Sequence, residues 1–323
     1  MNAGVVFTEK YLKLMFNQLR DASQEEVMEE LEHCRRENRR KVRVPRYFRG
    51  YFTEEKFTAS NGFEMQVFKH EAASQQNARS LNPEPVEESK GQTERKLILY
   101  LHGGAFIYPP VFFHWRFLHD LCLRTHCDAL MPIYPKSPEY DCMFSVKTLL
   151  EYYKHLSDSN QYDEIHFVGD SAGACLCLVL AQEAYKQGWQ KPLTTTLLSP
   201  CVDLSHTKEK EMRALQDKDT MLQLDRVITL NAIWQGELPE KHPWVSPVFG
   251  DFTGVDNLSV YFGSNEILQP DDLFLKETYE NSGKSGIFRE CEGMFHTFVM
   301  FPIPQGFKAT KAIAATIKKG RLN

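Results

Sequence analysis

The amino-acid sequence predicts an α/β fold in which a mainly parallel β-sheet is flanked by helices. From residue 96 onward, short apolar runs alternate with helical patterns, which is typical of a parallel sheet covered on both faces. Two of these runs end in glycine-rich turns, and open α/β sheets place functional groups at the carboxyl ends of their strands. The predicted strands are residues 96–101, 128–134, 164–168, 193–198, 258–262 and 286–291.

The first 50 residues are predicted to be largely helical. Apolar side chains recur at helical spacing from Val6 to Leu19. A second stripe, Val27 to Leu31, follows residues 23–26 (Ser-Gln-Glu-Glu), which form a capping-box pattern. The basic run from Arg35 to Arg46 is short and interleaved with acidic charge, so it favours a solvated surface over a nucleic-acid interface.

Residues 51–95 are predicted to form a hairpin and a loop. Residues 51–70 read as two strands around Asn61-Gly62, a dipeptide that favours tight hairpin turns. Residues 71–95 are polar, contain Pro83 and Pro85, and show no apolar rhythm. We therefore expect a surface loop that is unusually long for a compact domain.

The strand at residues 96–101 runs directly into His102-Gly103-Gly104-Ala105. A buried strand that ends in a His-Gly-Gly loop is typical of acyl-transfer sites, because backbone N–H groups of the loop can bind the oxyanion of a tetrahedral intermediate. The alternative is an ordinary glycine turn after a strand. A second motif further along the chain favours the catalytic interpretation.

That second motif is Gly-Asp-Ser-Ala-Gly at residues 169–173. An apolar run precedes it and a helix-compatible run, Ala172 to Ala184, follows it, which is the context of a nucleophile elbow. Ser171 is therefore the candidate nucleophile, and the N–H of Ala172 is a further oxyanion donor. Asp170 is expected to brace the elbow through hydrogen bonds rather than take part in the chemistry.

A serine nucleophile needs a base, and the resemblance of residues 169–173 to the elbow of α/β-hydrolases implies the order serine, acid, histidine along the chain. His296 fits, because it follows the last predicted strand and lies beyond the expected acid. His206 and His242 also lie beyond Ser171, but both precede the expected position of the acid.

The acid that orients His296 is predicted to be Glu266. It follows the strand at residues 258–262, and a glutamate can accept the same imidazole hydrogen bond as the more usual aspartate. Asp271 and Asp272 are the alternatives. Their position at the start of a predicted helix favours a role as N-terminal acids of that helix.

The chain resembles the hormone-sensitive-lipase branch of the α/β-hydrolase superfamily over roughly residues 95–305. The resemblance implies an α/β-hydrolase fold, and it departs from the usual pattern at Ala105, where this branch carries a third glycine. Among Gly103, Gly104 and Ala105, the two glycines are the expected oxyanion donors. The motifs that carry the resemblance are residues 102–105, 169–173, 198–205 (Leu-Ser-Pro-Cys-Val-Asp-Leu-Ser), Ser246-Pro247 and 263–268 (Gly-Ser-Asn-Glu-Ile-Leu).

The resemblance also implies a helical cap over the active site, built from two separate segments. Residues 1–50 would form its N-terminal part and residues 203–252 its second part, an insertion with helical patterns and bulky apolar side chains. The core would comprise residues 51–202, with the loop at 71–95, and residues 253–323. Apolar side chains facing down from the cap would line a substrate pocket, although most are expected to pack the cap onto the core.

Composition excludes several other classes of protein. The net charge of −5 and the sequence pI near 6.1 disfavour a nucleic-acid partner. No apolar stretch approaches the roughly 20 residues that cross a bilayer, and Glu9, Lys10 and Lys13 interrupt any secretory signal. Several of the eight cysteines fall in core-like segments, which predicts reduced thiols and a cytoplasmic location. No metal-binding motif is present, and a homodimer is compatible with the sequence.

These observations predict a serine carboxylesterase that hydrolyses short-chain acyl esters through Ser171, His296 and Glu266, without a cofactor. Two alternatives stay open. One is a small-molecule-binding protein on the same fold with little catalysis, and the other is an amidase or peptidase that uses the same triad. The preference for short acyl chains follows from the expected cap, which would bury a small acyl group and limit its length.

Overall fold

The computed structural model describes residues 24–72 and 94–322 of the chain, and only the backbone of residues 24–28. Its sheet has eight strands in the order β1-β2-β4-β3-β5-β6-β7-β8. The first two strands form the predicted hairpin, which joins β4 in antiparallel fashion, whereas all other neighbours are parallel. The strands are β1 (Phe52–Thr58), β2 (Glu64–His70), β3 (Lys96–Leu101), β4 (Asp128–Pro132), β5 (Glu164–Asp170), β6 (Thr194–Leu198), β7 (Leu258–Gly263) and β8 (Ile287–Cys291).

Helices cover both faces of this sheet. The described α-helices are α1 (Gln24–Asn38), α2 (Phe112–Thr125), α3 (Cys142–Asp158), α4 (Ala172–Lys186), α5 (Glu209–Leu215), α6 (Leu224–Gln235), α7 (Gln269–Asn281) and α8 (Pro304–Lys319). Short 3-10 turns lie at Arg46–Phe48, Pro247–Phe249 and Phe298–Met300.

Alternation along β3 shows why the central strands are apolar on both sides. Leu97, Leu99 and Leu101 pack into a core with α3, α4 and α7, whereas Ile98 and Tyr100 pack against α2 and α8 on the opposite face. Every residue of β6 and β7 is also buried. A strand buried on both faces reads as a continuous apolar run, which confirms the predicted α/β architecture.

The predicted boundaries hold to within a few residues. The strand predicted at residues 128–134 ends at Pro132, and the one predicted at 164–168 continues to Asp170, so the serine motif begins inside β5. The helical stripe from Val6 to Leu19 and most of the predicted loop at 71–95 lie outside the described residues.

The insertion, residues 203–252, contacts α1 close to the loop that follows β3. Leu31 and Cys34 of α1 form a buried apolar cluster with Ile107 and Leu230, the latter from α6. Next to this cluster the Arg226 guanidinium donates to the Glu30 carboxylate and, at 2.6 Å, to the Tyr108 hydroxyl. The two segments that were predicted to form a cap therefore meet each other and the loop after β3.

Candidate active site

Parallel pairing brings the sequence motifs to one edge of the sheet. Leu101 of β3 pairs with Gly169 of β5, so the His-Gly-Gly loop (residues 102–108) begins beside the serine motif. Ser171 follows β5, and the next strands outward, β6, β7 and β8, end in register with one another. The segments that follow them carry Ser199, Glu266 and His296, so all of these side chains belong to the carboxyl edge of the sheet.

The turn at Ser171 has the strained geometry of a nucleophile elbow. Ser171 has φ 50° and ψ −120°, a conformation that a residue with a Cβ atom rarely adopts. Its N–H donates to Leu198 O at 2.8 Å, which fastens the turn to β6. A Cβ atom on Gly173 would lie 2.0 Å from Leu101 O, so the glycine is needed for β3 and α4 to approach each other.

Glu266 and His296 form a buried hydrogen-bonded pair. The Nδ1–H of His296 donates to Glu266 Oε2 at 2.6 Å, while Glu266 Oε1 accepts from the N–H of Gly263 at 2.6 Å. Burial alone would lower the pKa of His296, but the hydrogen bond to Glu266 and the charge of that carboxylate offset it, and the pKa is raised overall. The carboxylate therefore fixes the tautomer that leaves Nε2 unprotonated.

The alternative acids are not in contact with His296. Asp271 and Asp272 lie in the first turn of α7, as the sequence predicted. Both are buried, and their carboxyl oxygens accept no hydrogen bond within residues 24–72 and 94–322. Burial raises the pKa of both groups well above its usual range, so these side chains favour the neutral form. The alternative histidines also stay apart, since His206 and His242 make no hydrogen bond to Glu266 in the described structure.

Ser199 is a site residue that the sequence analysis did not single out. It has φ 46°, and its hydroxyl donates to Glu266 Oε1 at 2.9 Å while accepting from the N–H of Thr297 at 2.9 Å. Ser199 thus links the acid to the residue after His296. Its position directly after a buried strand, next to the strand that carries the nucleophile, is the signal that could have identified it.

In the His-Gly-Gly loop, one of the predicted oxyanion donors is already hydrogen-bonded within the protein. The N–H of Gly103 donates to Asp170 Oδ1 at 3.0 Å, so it is engaged inside the protein and the prediction for this residue was wrong. A side chain there would also meet Asp170, since a Cβ atom would lie 2.2 Å from its Oδ2. The N–H groups of Gly104, Ala105 and Ala172 make no hydrogen bond in the part of the chain that the structure describes.

Positive φ angles turn the backbone of the His-Gly-Gly loop sharply. Gly104 has φ 120°, and Ala105 and Phe106 have φ 50° and 60°. The N–H groups of Ile107 and Tyr108 both donate to Gly104 O, at 2.9 and 2.8 Å, and close the turn. Ala105 therefore occupies a conformation that glycine adopts more readily, which is the physical cost of its departure from the usual pattern.

Asp170 braces the His-Gly-Gly loop against the elbow, as predicted. Besides the N–H of Gly103, its carboxylate accepts from the Tyr100 hydroxyl at 2.5 Å and lies 3.3 Å from His114 Nε2. Burial would raise the pKa of Asp170, but His114 and the donated hydrogen bonds outweigh that effect and lower it. The carboxylate is thus held ionised by its contacts with Gly103, Tyr100 and His114.

The described structure contains no hydrogen bond between Ser171 Oγ and the His296 ring. It also shows no group of three or more His, Cys, Asp or Glu side chains that could hold a metal ion among the residues it describes. No helix in the described ranges is long and apolar enough to cross a membrane.

Comparison with known proteins adds independent information. Residues 98–300 match the family model described as alpha/beta hydrolase fold. An esterase from Acinetobacter venetianus is 30% identical over 218 residues, which are 67% of this chain and 72% of that protein. An acetyl-hydrolase from Streptomyces hygroscopicus is 28% identical over 232 residues, 69% of this chain and 75% of that one.

The fold also has a clear counterpart among solved structures. The crystal structure of an esterase from the bacterial hormone-sensitive lipase family matches with a TM-score of 0.70 and 21% identity. The match covers 93% of this chain and 99% of that one. At this identity the likeness concerns the fold.

Proposed function

Since the chain belongs to the alpha/beta hydrolase fold family and is a carboxylic ester hydrolase, we propose that it acts on short-chain acyl esters through Ser171, His296 and Glu266. The family match covers more than half of the chain, and the relatives are named esterase and acetyl-hydrolase. The family match also confirms the predicted α/β-hydrolase fold, and a solved structure from the bacterial hormone-sensitive lipase family shares that fold.

In the proposed mechanism, Ser171 Oγ attacks the acyl carbonyl carbon while His296 Nε2 takes the hydroxyl proton. The negative charge that develops on the carbonyl oxygen is stabilised by the N–H groups of Gly104, Ala105 and Ala172. The tetrahedral intermediate collapses, His296 passes its proton to the leaving alcohol, and an acyl-serine remains. His296 then takes a proton from a water molecule that attacks the acyl-serine, and it passes this proton to Ser171 Oγ as the carboxylic acid leaves.

The observation that carries this proposal is the 2.6 Å hydrogen bond from His296 Nδ1 to Glu266 Oε2. It leaves Nε2 free to accept the serine proton and places a negative charge where the imidazolium forms. The strained turn at Ser171 and the unused N–H groups at the His-Gly-Gly loop support the other two roles. A binding protein without catalysis would not need this buried ionisable pair.

The preference for short acyl chains rests on the proposed cap, made of residues 1–50 and 203–252 around the core segments 51–202 and 253–323. Leu31 and Leu230 pack on Ile107 of the His-Gly-Gly loop, so apolar side chains of both cap segments lie next to the proposed oxyanion donors. In a pocket closed on this side, burial of each methylene of a small acyl group stabilises the complex by about 0.8 kcal/mol, until the acyl chain reaches the end of the pocket.

A panel of p-nitrophenyl esters from acetyl to decanoyl, run beside an acyl anilide, tests this function. We expect a rate maximum at or below hexanoyl and little anilide cleavage, and Ser171→Ala should remove ester turnover. Anilide cleavage that exceeds ester cleavage would favour the amidase alternative. Binding of small apolar ligands without turnover would favour the binding-protein alternative.

The location, the partner and the oligomeric state are also part of the proposal. All eight cysteines are free and seven are buried, which supports a reducing, cytoplasmic location. The expected partner is a small-molecule ester, with neither nucleic acid nor a membrane involved. Analytical ultracentrifugation would distinguish a monomer from the homodimer that the sequence allows.

A further inference from the structure

Asp219 is a buried carboxylate in the insertion, in the turn between α5 and α6. It is 2% exposed, although the surrounding turn is polar in sequence. Its Oδ1 accepts from the N–H groups of Met221 and Leu222, each at 2.8 Å, and these two bonds close the turn locally. An aspartate that served the turn alone would need nothing more.

The second oxygen of Asp219 reaches a different element. Its Oδ2 accepts from the N–H of Ile267 at 2.8 Å, and Ile267 directly follows Glu266. This bond joins the insertion to the acid loop, residues 264–268, across 48 positions of sequence. The loop is held on its other side by the N–H of Asn265, which donates to Met294 O at 2.9 Å. Glu266 is thus fixed from both sides.

Asp219 also acts on His296 through its charge. Burial raises the pKa of Asp219 to about 6, and its three N–H donors and the His296 charge oppose that rise. The side chain is therefore mostly ionised at neutral pH. The charged groups that face His296 are Glu266, Asp219 and Asp170, and each of them raises the pKa of the imidazole against the effect of burial.

We propose that Asp219 is a positioning residue of the ester-hydrolysis site, which holds the acid loop through Ile267 and supports the His296 imidazolium with its charge. The proposal rests on the proposed function. It makes the insertion part of the catalytic framework, because a change in the Asp219 turn is transmitted to Glu266 through one peptide unit.

Asp203 offers a matched control in the same insertion. It is 1% exposed, and it accepts from the N–H and hydroxyl of Ser205 and from the N–H of Thr207, all within four residues. Asp203 thus has the burial and the turn-closing bonds of Asp219 without a bond to a catalytic loop. The Asp203→Asn variant measures how much stability is lost with a buried turn carboxylate when no contact with a catalytic loop is changed.

The test compares Asp219→Asn, Asp203→Asn and wild type. In Asp219→Asn, the amide oxygen can keep the hydrogen bonds from Met221 and Leu222 only if the NH2 group faces the Ile267 N–H. The hydrogen bond from Ile267 is then lost. We expect kcat to fall about 10- to 100-fold with KM changed less than about threefold, the range for a misplaced catalytic group. The acid limb of kcat/KM should move to lower pH, because His296 loses a neighbouring negative charge. Asp203→Asn should change neither kcat nor that limb.

A second variant tests the same proposal in case Asp219→Asn does not fold. In Asp219→Ser the hydroxyl can still accept within the turn but cannot reach Ile267, and it should give the same kinetic changes. Wild-type kcat and an unmoved acid limb in folded Asp219→Asn or Asp219→Ser would overturn the proposal, as would equal effects in Asp203→Asn. If Ser171→Ala retains activity, the proposed function itself fails, which separates the two outcomes.

Discussion

Replacing Glu266 with glutamine tests the catalytic assignment most sharply. The carboxylate uses both oxygens: Oε2 accepts from His296 Nδ1, and Oε1 accepts from the Gly263 N–H and the Ser199 hydroxyl. A glutamine side chain has only one oxygen, so it can accept hydrogen bonds either from His296 or from Gly263 and Ser199. If its oxygen faces Gly263, its NH2 faces His296 and the imidazole must carry its proton on Nε2, so it cannot accept the serine proton.

The opposite rotamer is unfavourable too. With the amide oxygen toward His296, the NH2 would confront the Gly263 N–H, which now sits 2.6 Å from Oε1. Two buried donors would face each other without an acceptor, at a cost of roughly 1–3 kcal/mol. The variant is therefore expected to adopt the wrong tautomer. In a serine-histidine-aspartate triad the same kind of change lowers kcat about 10⁴-fold, equivalent to about 5 kcal/mol of transition-state stabilisation.

The assay is hydrolysis of p-nitrophenyl butyrate by wild type, Glu266→Gln, Asp271→Asn and Asp272→Asn, with thermal unfolding as a check on folding. Asp271 and Asp272 already favour the neutral form, so an amide of the same shape should change kcat by less than about tenfold. A Glu266→Gln variant within tenfold of wild type, or an equal loss in either aspartate variant, would refute the assignment.

Four other outcomes are expected. An organophosphate should label Ser171 covalently at a rate that Glu266→Gln slows, and mass spectrometry that finds the adduct elsewhere would contradict the nucleophile. Because the pKa of His296 is raised and the base must be neutral, kcat/KM should rise with pH through a midpoint above 6.5; a midpoint at or below 6.5 would oppose the assignment. The same raised pKa predicts how stability depends on pH. The free energy that the His296–Glu266 pair contributes to stability is complete below the pKa of about 6.5 in the unfolded chain and is lost as the pH rises through the pKa in the folded protein. Urea unfolding measured across pH tests this loss. Finally, emulsified long-chain esters should not be hydrolysed faster than dissolved short ones, and a sharp rise in rate on emulsion formation would remove the short-chain proposal.

The architecture was readable from the sequence because the strands are buried on both faces. Continuous apolar runs such as residues 96–101 leave little ambiguity about period, and the helices between them impose parallel pairing. The positions of Ser171 and His296 follow from that order, since motifs at strand ends must gather at one edge of the sheet.

The finer parts of the site depend on contacts between distant segments, which no local pattern records. Gly103 and Gly104 are equivalent as sequence, and only the approach of Asp170 shows that the first N–H is engaged. Ser199 acquires its role because β6 lies between β5 and β7. Glu266, Asp271 and Asp272 lie within seven residues, and the course of the acid loop alone decides which carboxylate meets the imidazole.

The contact between α1 and α6 bears on any attempt to re-engineer this enzyme. Leu31 packs with Leu230, and Arg226 binds both Glu30 and Tyr108, so each side of this junction is shaped by the other. A chimaera that received only the insertion of a relative would set foreign side chains against the native α1 and release Tyr108, whose N–H closes the turn at Gly104. Exchange of substrate preference by recombination thus requires α1 and the insertion to be inherited together, although core residues 51–202 lie between them in the sequence.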